Sequence, residues 1–122
     1  MYTLVVNTYF SSAHKLRGYQ GECEELHGHN WKVVVKVSGE TLDHLGMVLD
    51  FKVLKQKIND IVQKLDHSYL NEIPPFDAIN PSSENIAGYL FKEIKKAIND
   101  EKISLSQVKV WESENCAAIY SE

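Results

Sequence analysis

The sequence predicts an α+β fold of order β-β-α-α-β-β, an antiparallel sheet covered on one face by two helices. Three observations carry that expectation. Residues 29–38 (HNWKVVVKVS) alternate with a period of two. Residues 51–65 and 83–98 switch to a helical period. QVKVWES and NCAAIY then return to strand composition. Strand pairs flanking two consecutive helices belong to the α+β class. At 122 residues, without a repeat, low-complexity segment or linker, the whole span 1–122 reads as a single domain.

Each element has its own signal. Residues 2–12 favour strand, with Leu4, Val6, Thr8 and Phe10 on one parity. In the second strand Trp31, Val33, Val35 and Val37 face one way while Lys32 and Lys36 face the other. The polar stretch 13–28 between them is too long for a tight turn and rich in reactive side chains, as functional connections often are. Residues 39–50 (GETLDHLGMVLD) read as a turn and a short edge segment. Phe51, Leu54, Ile58, Ile61, Val62 and Leu65 then share one helical face, with Asp50 as N-cap. Pro81, Ser82 and Ser83 start a second helix running to about Ile98, whose face holds Ile86, Leu90, Phe91, Ile94, Ala97 and Ile98. Gly88 weakens that helix slightly. A closing hairpin turns around Ser113–Asn115.

Composition narrows the function. An apolar fraction of 43% and a charged fraction of 25% are ordinary for a soluble globular protein. Net charge is −4 and the longest basic run is Lys95-Lys96, which argues against a nucleic-acid partner. The start MYTLVVNTYF has no basic leader, and Asn7 interrupts its apolar run, so it reads as neither signal peptide nor membrane span. Cys23 and Cys116, far apart in sequence, suggest free thiols in a reducing, cytoplasmic setting.

The chemistry concentrates in CEELHGHNW, residues 23–31. Side chains at i and i+2 of a strand project to the same face, so His27 and His29 point together and can reach one ion. Pairing of the first two strands brings His14 alongside. Three neutral imidazoles suit zinc with a fourth position open. Cys23 either closes that shell, making the site structural, or stands beside it as a free thiolate, making it catalytic; spacing permits both. Asp66 and His67 end the first helix, where the imidazole either caps the helix or joins a carboxylate-oriented relay for a thiol. Glu112 shares the parity of Val108 and Val110, so its carboxylate is either solvated at the strand end or buried to hold a cationic or amide-like group. Cys116, among small apolar residues, is expected in the core. His44 is assigned no role.

Six stretches in this order resemble the 6-pyruvoyltetrahydropterin synthase and 6-carboxytetrahydropterin synthase family. They are FSSAH (10–14), CEELHGH (23–29), GMVLDF (46–51), LDHSYLN (65–71), NPSSEN (80–85) and VWES (110–113), and the resemblance covers nearly the whole chain. The resemblance implies the tunnelling fold (T-fold), whose subunits join sheets into trimeric barrels that stack as hexamers, with active sites at subunit interfaces. It implies His14, His27 and His29 as ligands of Zn2+, and Cys23 as catalytic thiol supported by Asp66 and His67. Glu112 would anchor the pterin ring, with Ser82 and Ser83 in the pterin pocket. Lys15 and Arg17 would be either triphosphate contacts or solvated loop charges.

The implied substrate is the small molecule 7,8-dihydroneopterin triphosphate, and no dinucleotide signature calls for a redox cofactor. The spacing Cys-x-x-x-His-Gly-His resembles the queuosine-pathway branch, which forms 6-carboxytetrahydropterin with release of acetaldehyde and triphosphate. Glu24, next to Cys23, departs from that pattern. It is either a solvated glutamate beside Glu25 or the counterpart of the glutamate that it resembles in a folate-pathway branch leaving 6-hydroxymethyl-dihydropterin, so a bifunctional or folate-pathway enzyme is the alternative, alongside 6-pyruvoyltetrahydropterin formation. A closed zinc module or a pterin-binding protein without turnover is the non-enzymatic alternative.

Overall fold

The computed structural model describes residues 1–18 and 26–122. Strand β1 (Tyr2–His14) and strand β2 (His27–Gly39) are followed by helix α1 (Phe51–Val62), a short 3-10 turn (Gln63–Leu65) and the two-residue strand β3 (Ser68–Tyr69). A second 3-10 turn (Leu70–Glu72), helix α2 (Ser83–Ile98) and strands β4 (Ile103–Trp111) and β5 (Ala117–Tyr120) complete the order. The strands form one sheet, β3-β1-β2-β4-β5.

β1 and β2 pair antiparallel without a break, from Tyr2 opposite Gly39 to His14 opposite His27. The residue numbers of each pair sum to a constant, so even positions of β1 face odd positions of β2 on the same side of the sheet. Val6, Phe10, Trp31, Val33, Val35, Val37, Val108 and Val110 make that side apolar, and both helices cover it. Alternation of apolar and polar residues is what one buried and one open face require. The open face carries Val5, Tyr9 and Ile119, all exposed in the single chain.

The helices dock by their predicted stripes. α1 buries Leu54, Ile58, Ile61 and Val62 and is capped by Asp50, whose carboxylate accepts from the Lys52 N–H. Thr8 Oγ1 donates to Asn59 Oδ1 at 2.7 Å, tying α1 to β1. α2 starts at Ser82, whose hydroxyl accepts from the Asn85 N–H at 3.1 Å, and buries Ile86, Leu90, Phe91, Ile94 and Ile98.

Four expectations are corrected. The sheet is mixed, because β3 pairs in parallel with β1, Ser12 beside Ser68 and Ala13 beside Tyr69; two residues are too few to show a period. Residues 40–50 form the expected turn, in which Asp43 Oδ1 accepts the N–H groups of Leu45 and Met47, but no segment of them pairs at the edge of the sheet. Phe51, at the first position of α1, is exposed. Cys116 is also exposed, since it sits in the hairpin turn before β5. No helix among the described residues is long and apolar enough to cross a membrane.

Leu90 is fully buried between α2 and the sheet. Leu90→Ala should lower the free energy of unfolding by about 2–5 kcal/mol, read from urea denaturation.

Candidate active site

The ends of β1, β2 and β4 meet at one corner of the sheet, on its covered side. Register places His14 directly across from His27, and parity places His29 beside them. Glu112 follows the last residue of β4, on the parity of Val108 and Val110. Its position is held by the Glu112 N–H, which donates to the Cys116 carbonyl at 3.1 Å across the β4–β5 turn.

The side chains converge closely. His14 Nε2 lies 3.0 Å from His27 Nε2. Glu112 Oε1 lies 3.1 Å from His29 Nε2, 3.7 Å from His14 Nε2 and 4.0 Å from His27 Nε2. One ligand atom from each of these four residues falls within 4.8 Å of all the others. Trp31, fully buried, forms the floor, with edge-on contacts to the rings of His14 and His29.

Hydrogen bonding fixes the protons. His14 is buried, and its Nδ1 lies 2.8 Å from the Pro81 carbonyl, which only accepts. Nδ1 therefore carries a proton, which leaves Nε2 as the ring nitrogen facing His27 that could serve a cation as ligand. A histidine donating its far N–H to a backbone carbonyl, with its near nitrogen among other imidazoles and a carboxylate, is the arrangement of a cation ligand. The cluster could hold a divalent metal.

The loop that starts α2 supports this corner from above. Ser83 is buried and its hydroxyl donates to Glu112 Oε2 at 3.1 Å, while Ser82 serves as N-cap. Both the Pro81 contact and the Ser83 contact were missed from sequence. Their signal was the NPSSEN stretch, read there only as a helix start and a pocket segment.

Asp66 and His67 lie at the other edge of β1. The Ser11 N–H donates to Asp66 Oδ1 at 2.8 Å, and the His67 N–H donates to the Ser11 carbonyl at 2.7 Å. His67 Nδ1 lies 2.8 Å from Asp66 Oδ2. The Ser11 N–H, with a smaller contribution from His67, holds the Asp66 carboxyl below the usual carboxylate range despite some desolvation. His67 adopts a left-handed φ of 51°, and its side chain is 84% exposed. It stands outside the histidine–Glu112 cluster. Cys23 and Glu24 lie outside the described residues. Arg17 Nη2 donates to the carbonyls of Asn71 and Phe76. A cleft of about 620 Å³ opens beside the cluster, lined by His29, Glu112, Tyr9, Lys32 and Trp111 among others.

The profile of the family described as 6-pyruvoyl tetrahydropterin synthase matches residues 3–122. The chain belongs to that family. Within it, a Synechocystis protein named 6-carboxy-5,6,7,8-tetrahydropterin synthase is 38% identical over 93 residues, covering 72% of this chain and 70% of its own length. A Pyrococcus furiosus protein named dihydroneopterin monophosphate aldolase is 35% identical over 109 residues, covering 89% of this chain and 88% of its own length. The solved structure of Caenorhabditis elegans 6-pyruvoyl tetrahydropterin synthase superposes with a TM-score of 0.86 at 26% identity, over 99% of this chain and 95% of that one. The tunnelling-fold expectation is met.

Because its folded pKa is depressed, Asp66 contributes stability that is fully present above its unfolded pKa of about 4 and lost as pH falls through the folded value. The stability difference between the wild type and Asp66→Asn should therefore shrink as pH drops below about 4, in unfolding titrations at stepped pH.

Proposed function

We propose that the chain is a zinc-dependent 6-carboxy-5,6,7,8-tetrahydropterin synthase, converting 7,8-dihydroneopterin triphosphate to 6-carboxytetrahydropterin with release of acetaldehyde and triphosphate. The observation that carries the reading is the convergence of three imidazole Nε2 atoms and one carboxylate at the sheet corner. The name of the Synechocystis relative supports the choice of product.

His14, His27 and His29 would hold the cation. Zinc bound there supplies Lewis acidity toward the hydroxyls of the substrate side chain. Glu112 accepts from the amino and ring N–H groups of the pterin, and Ser83, already donating to Oε2, keeps its carboxylate turned inward. Ser82, as N-cap, sets the loop that carries Ser83. The Cys23 thiolate moves side-chain protons, and His67, oriented by Asp66, relays them. Since His67 stands exposed and apart from the cluster, the complete site is assembled from neighbouring copies, in a trimer or a hexamer of two trimers. The bare sheet face with Val5, Tyr9 and Ile119 supports that assembly. Cys23 and Cys116, far apart in sequence, fit free thiols in a cytoplasmic location.

One observation favours a second activity. Glu24 adjoins Cys23, and the Pyrococcus relative is named for aldol cleavage. A bifunctional enzyme would also cleave dihydroneopterin-type side chains to 6-hydroxymethyl-dihydropterin, with Glu24 as base.

Mass identification of products from the triphosphate and from dephosphorylated dihydroneopterin tests both readings. Cys23→Ala should abolish carboxytetrahydropterin formation, and an unchanged rate overturns the thiol assignment. Glu24→Ala should spare that reaction and remove side-chain cleavage; a variant that loses neither returns Glu24 to solvent.

Glu112→Gln separates anchoring from ligation. As pterin anchor, the variant should raise KM at least tenfold while zinc content stays at the wild-type level. Loss of zinc from Glu112→Gln would instead make this carboxylate a metal ligand.

A further inference from the structure

Two asparagines in the LDHSYLN and NPSSEN stretches have no part in the chemistry above, yet their side chains are fully engaged. β1 ends at His14, and the backbone that follows leaves the sheet. Partly buried backbone polar groups need partners beyond the end of a strand as well. Asn71 supplies them for Lys15: the Lys15 N–H donates to Asn71 Oδ1 at 2.9 Å, and Asn71 Nδ2 donates to the Lys15 carbonyl at 2.9 Å. Asn80 does the same for Arg17, at 2.8 Å from its N–H and 2.9 Å to its carbonyl.

A carboxamide offers the same donor and acceptor as a peptide unit. The two side chains thus pair with this backbone as the edge of a strand would. Each amide's orientation is dictated, because its oxygen must face an N–H and its nitrogen a carbonyl. Asn71 is 8% exposed. Asn80 is held in turn by Asn85 Nδ2, which donates to the Asn80 carbonyl at 2.8 Å.

His14 sits between these supports. On one side Ala13 is in the ladder with Gly28 and Tyr69. On the other, Lys15 is gripped by Asn71. The residue after Asn80 is Pro81, whose carbonyl takes the His14 ring N–H at 2.8 Å. Asn80 therefore fastens the loop carrying that acceptor to the strand extension carrying the ring.

We propose that Asn71 and Asn80 are positioning residues for the cation site, clamping the exit of β1 so that His14 Nε2 is held toward His27 and His29. This rests on the reading of His14 as a metal ligand. The clamp acts through His14 alone and touches neither substrate nor metal.

Zinc affinity by chelator competition, and the visible spectrum of the Co(II)-loaded protein, test the clamp in Asn71→Ala and Asn80→Ala. Asn59→Ala is the control, because it breaks the Thr8–Asn59 bond between α1 and β1 and costs stability away from the corner. Removing a group that orients a metal-binding histidine costs about 10–100-fold in affinity. Both clamp variants should lose at least tenfold in zinc affinity and shift the Co(II) bands, while Asn59→Ala binds as the wild type does. Clamp variants that lose thermal stability yet keep wild-type affinity and spectrum would overturn the proposal and leave the metal site standing. A wild type that binds zinc no better than His14→Ala would overturn the metal reading and the clamp with it. Should Asn71→Ala fail to fold, the less buried Asn80→Ala decides the question alone.

Discussion

The unbroken pairing of β1 with β2 is the constraint on which the rest of the molecule depends. A slip of one residue would send every side chain of a strand to the opposite face. Here such a slip of β1 would expose Phe10, whose ring stacks in parallel on that of Trp31 at 5.7 Å, and turn His14 away from His27. The core and the cluster are therefore specified together. The apolar residues that make the register worth keeping in the middle of the hairpin also set the imidazoles at its end. The other elements add to this frame: the segment before α2 brings Pro81, the first residue of α2 is Ser83, and Glu112 directly follows β4.

Most of the frame was legible in the sequence, because alternation and helical period are read over many residues. The parity of Trp31, Val33, Val35 and Val37 extends back to His29 and His27, and that of Val108 and Val110 runs forward to Glu112. The second helix begins and ends where its serine cap and apolar stripe put it. What escaped notice has a common cause. β3 is too short for a period, Phe51 stands where the helix stripe has not yet reached cover, and Cys116 takes the exposure of its turn rather than of its neighbours.

The site was legible in its residue types and less so in its wiring. Three histidines, a glutamate and an Asp-His pair can be picked out by composition and parity. Their supports are backbone groups, such as the Pro81 carbonyl at His14 and the Ser11 N–H at Asp66, and a sequence says nothing about where a carbonyl points. The same holds for NPSSEN. Asn80 binds Arg17, Pro81 binds His14, Ser82 caps α2, Ser83 binds Glu112, and Asn85 closes back onto Asn80. The three contacts that leave the hexapeptide, to Arg17, His14 and Glu112, become visible only once the separate elements are assembled.

The indole beneath the imidazoles has an energetic consequence. Trp31 cannot move without opening the core, so the rings resting on its edge have little rotational freedom to surrender when a ligand arrives. Much of the ordering entropy has been spent during folding, and association costs correspondingly less. A rigid aromatic base of this kind favours tight capture, and it ties the affinity of the corner to the integrity of the hydrophobic interior beneath it.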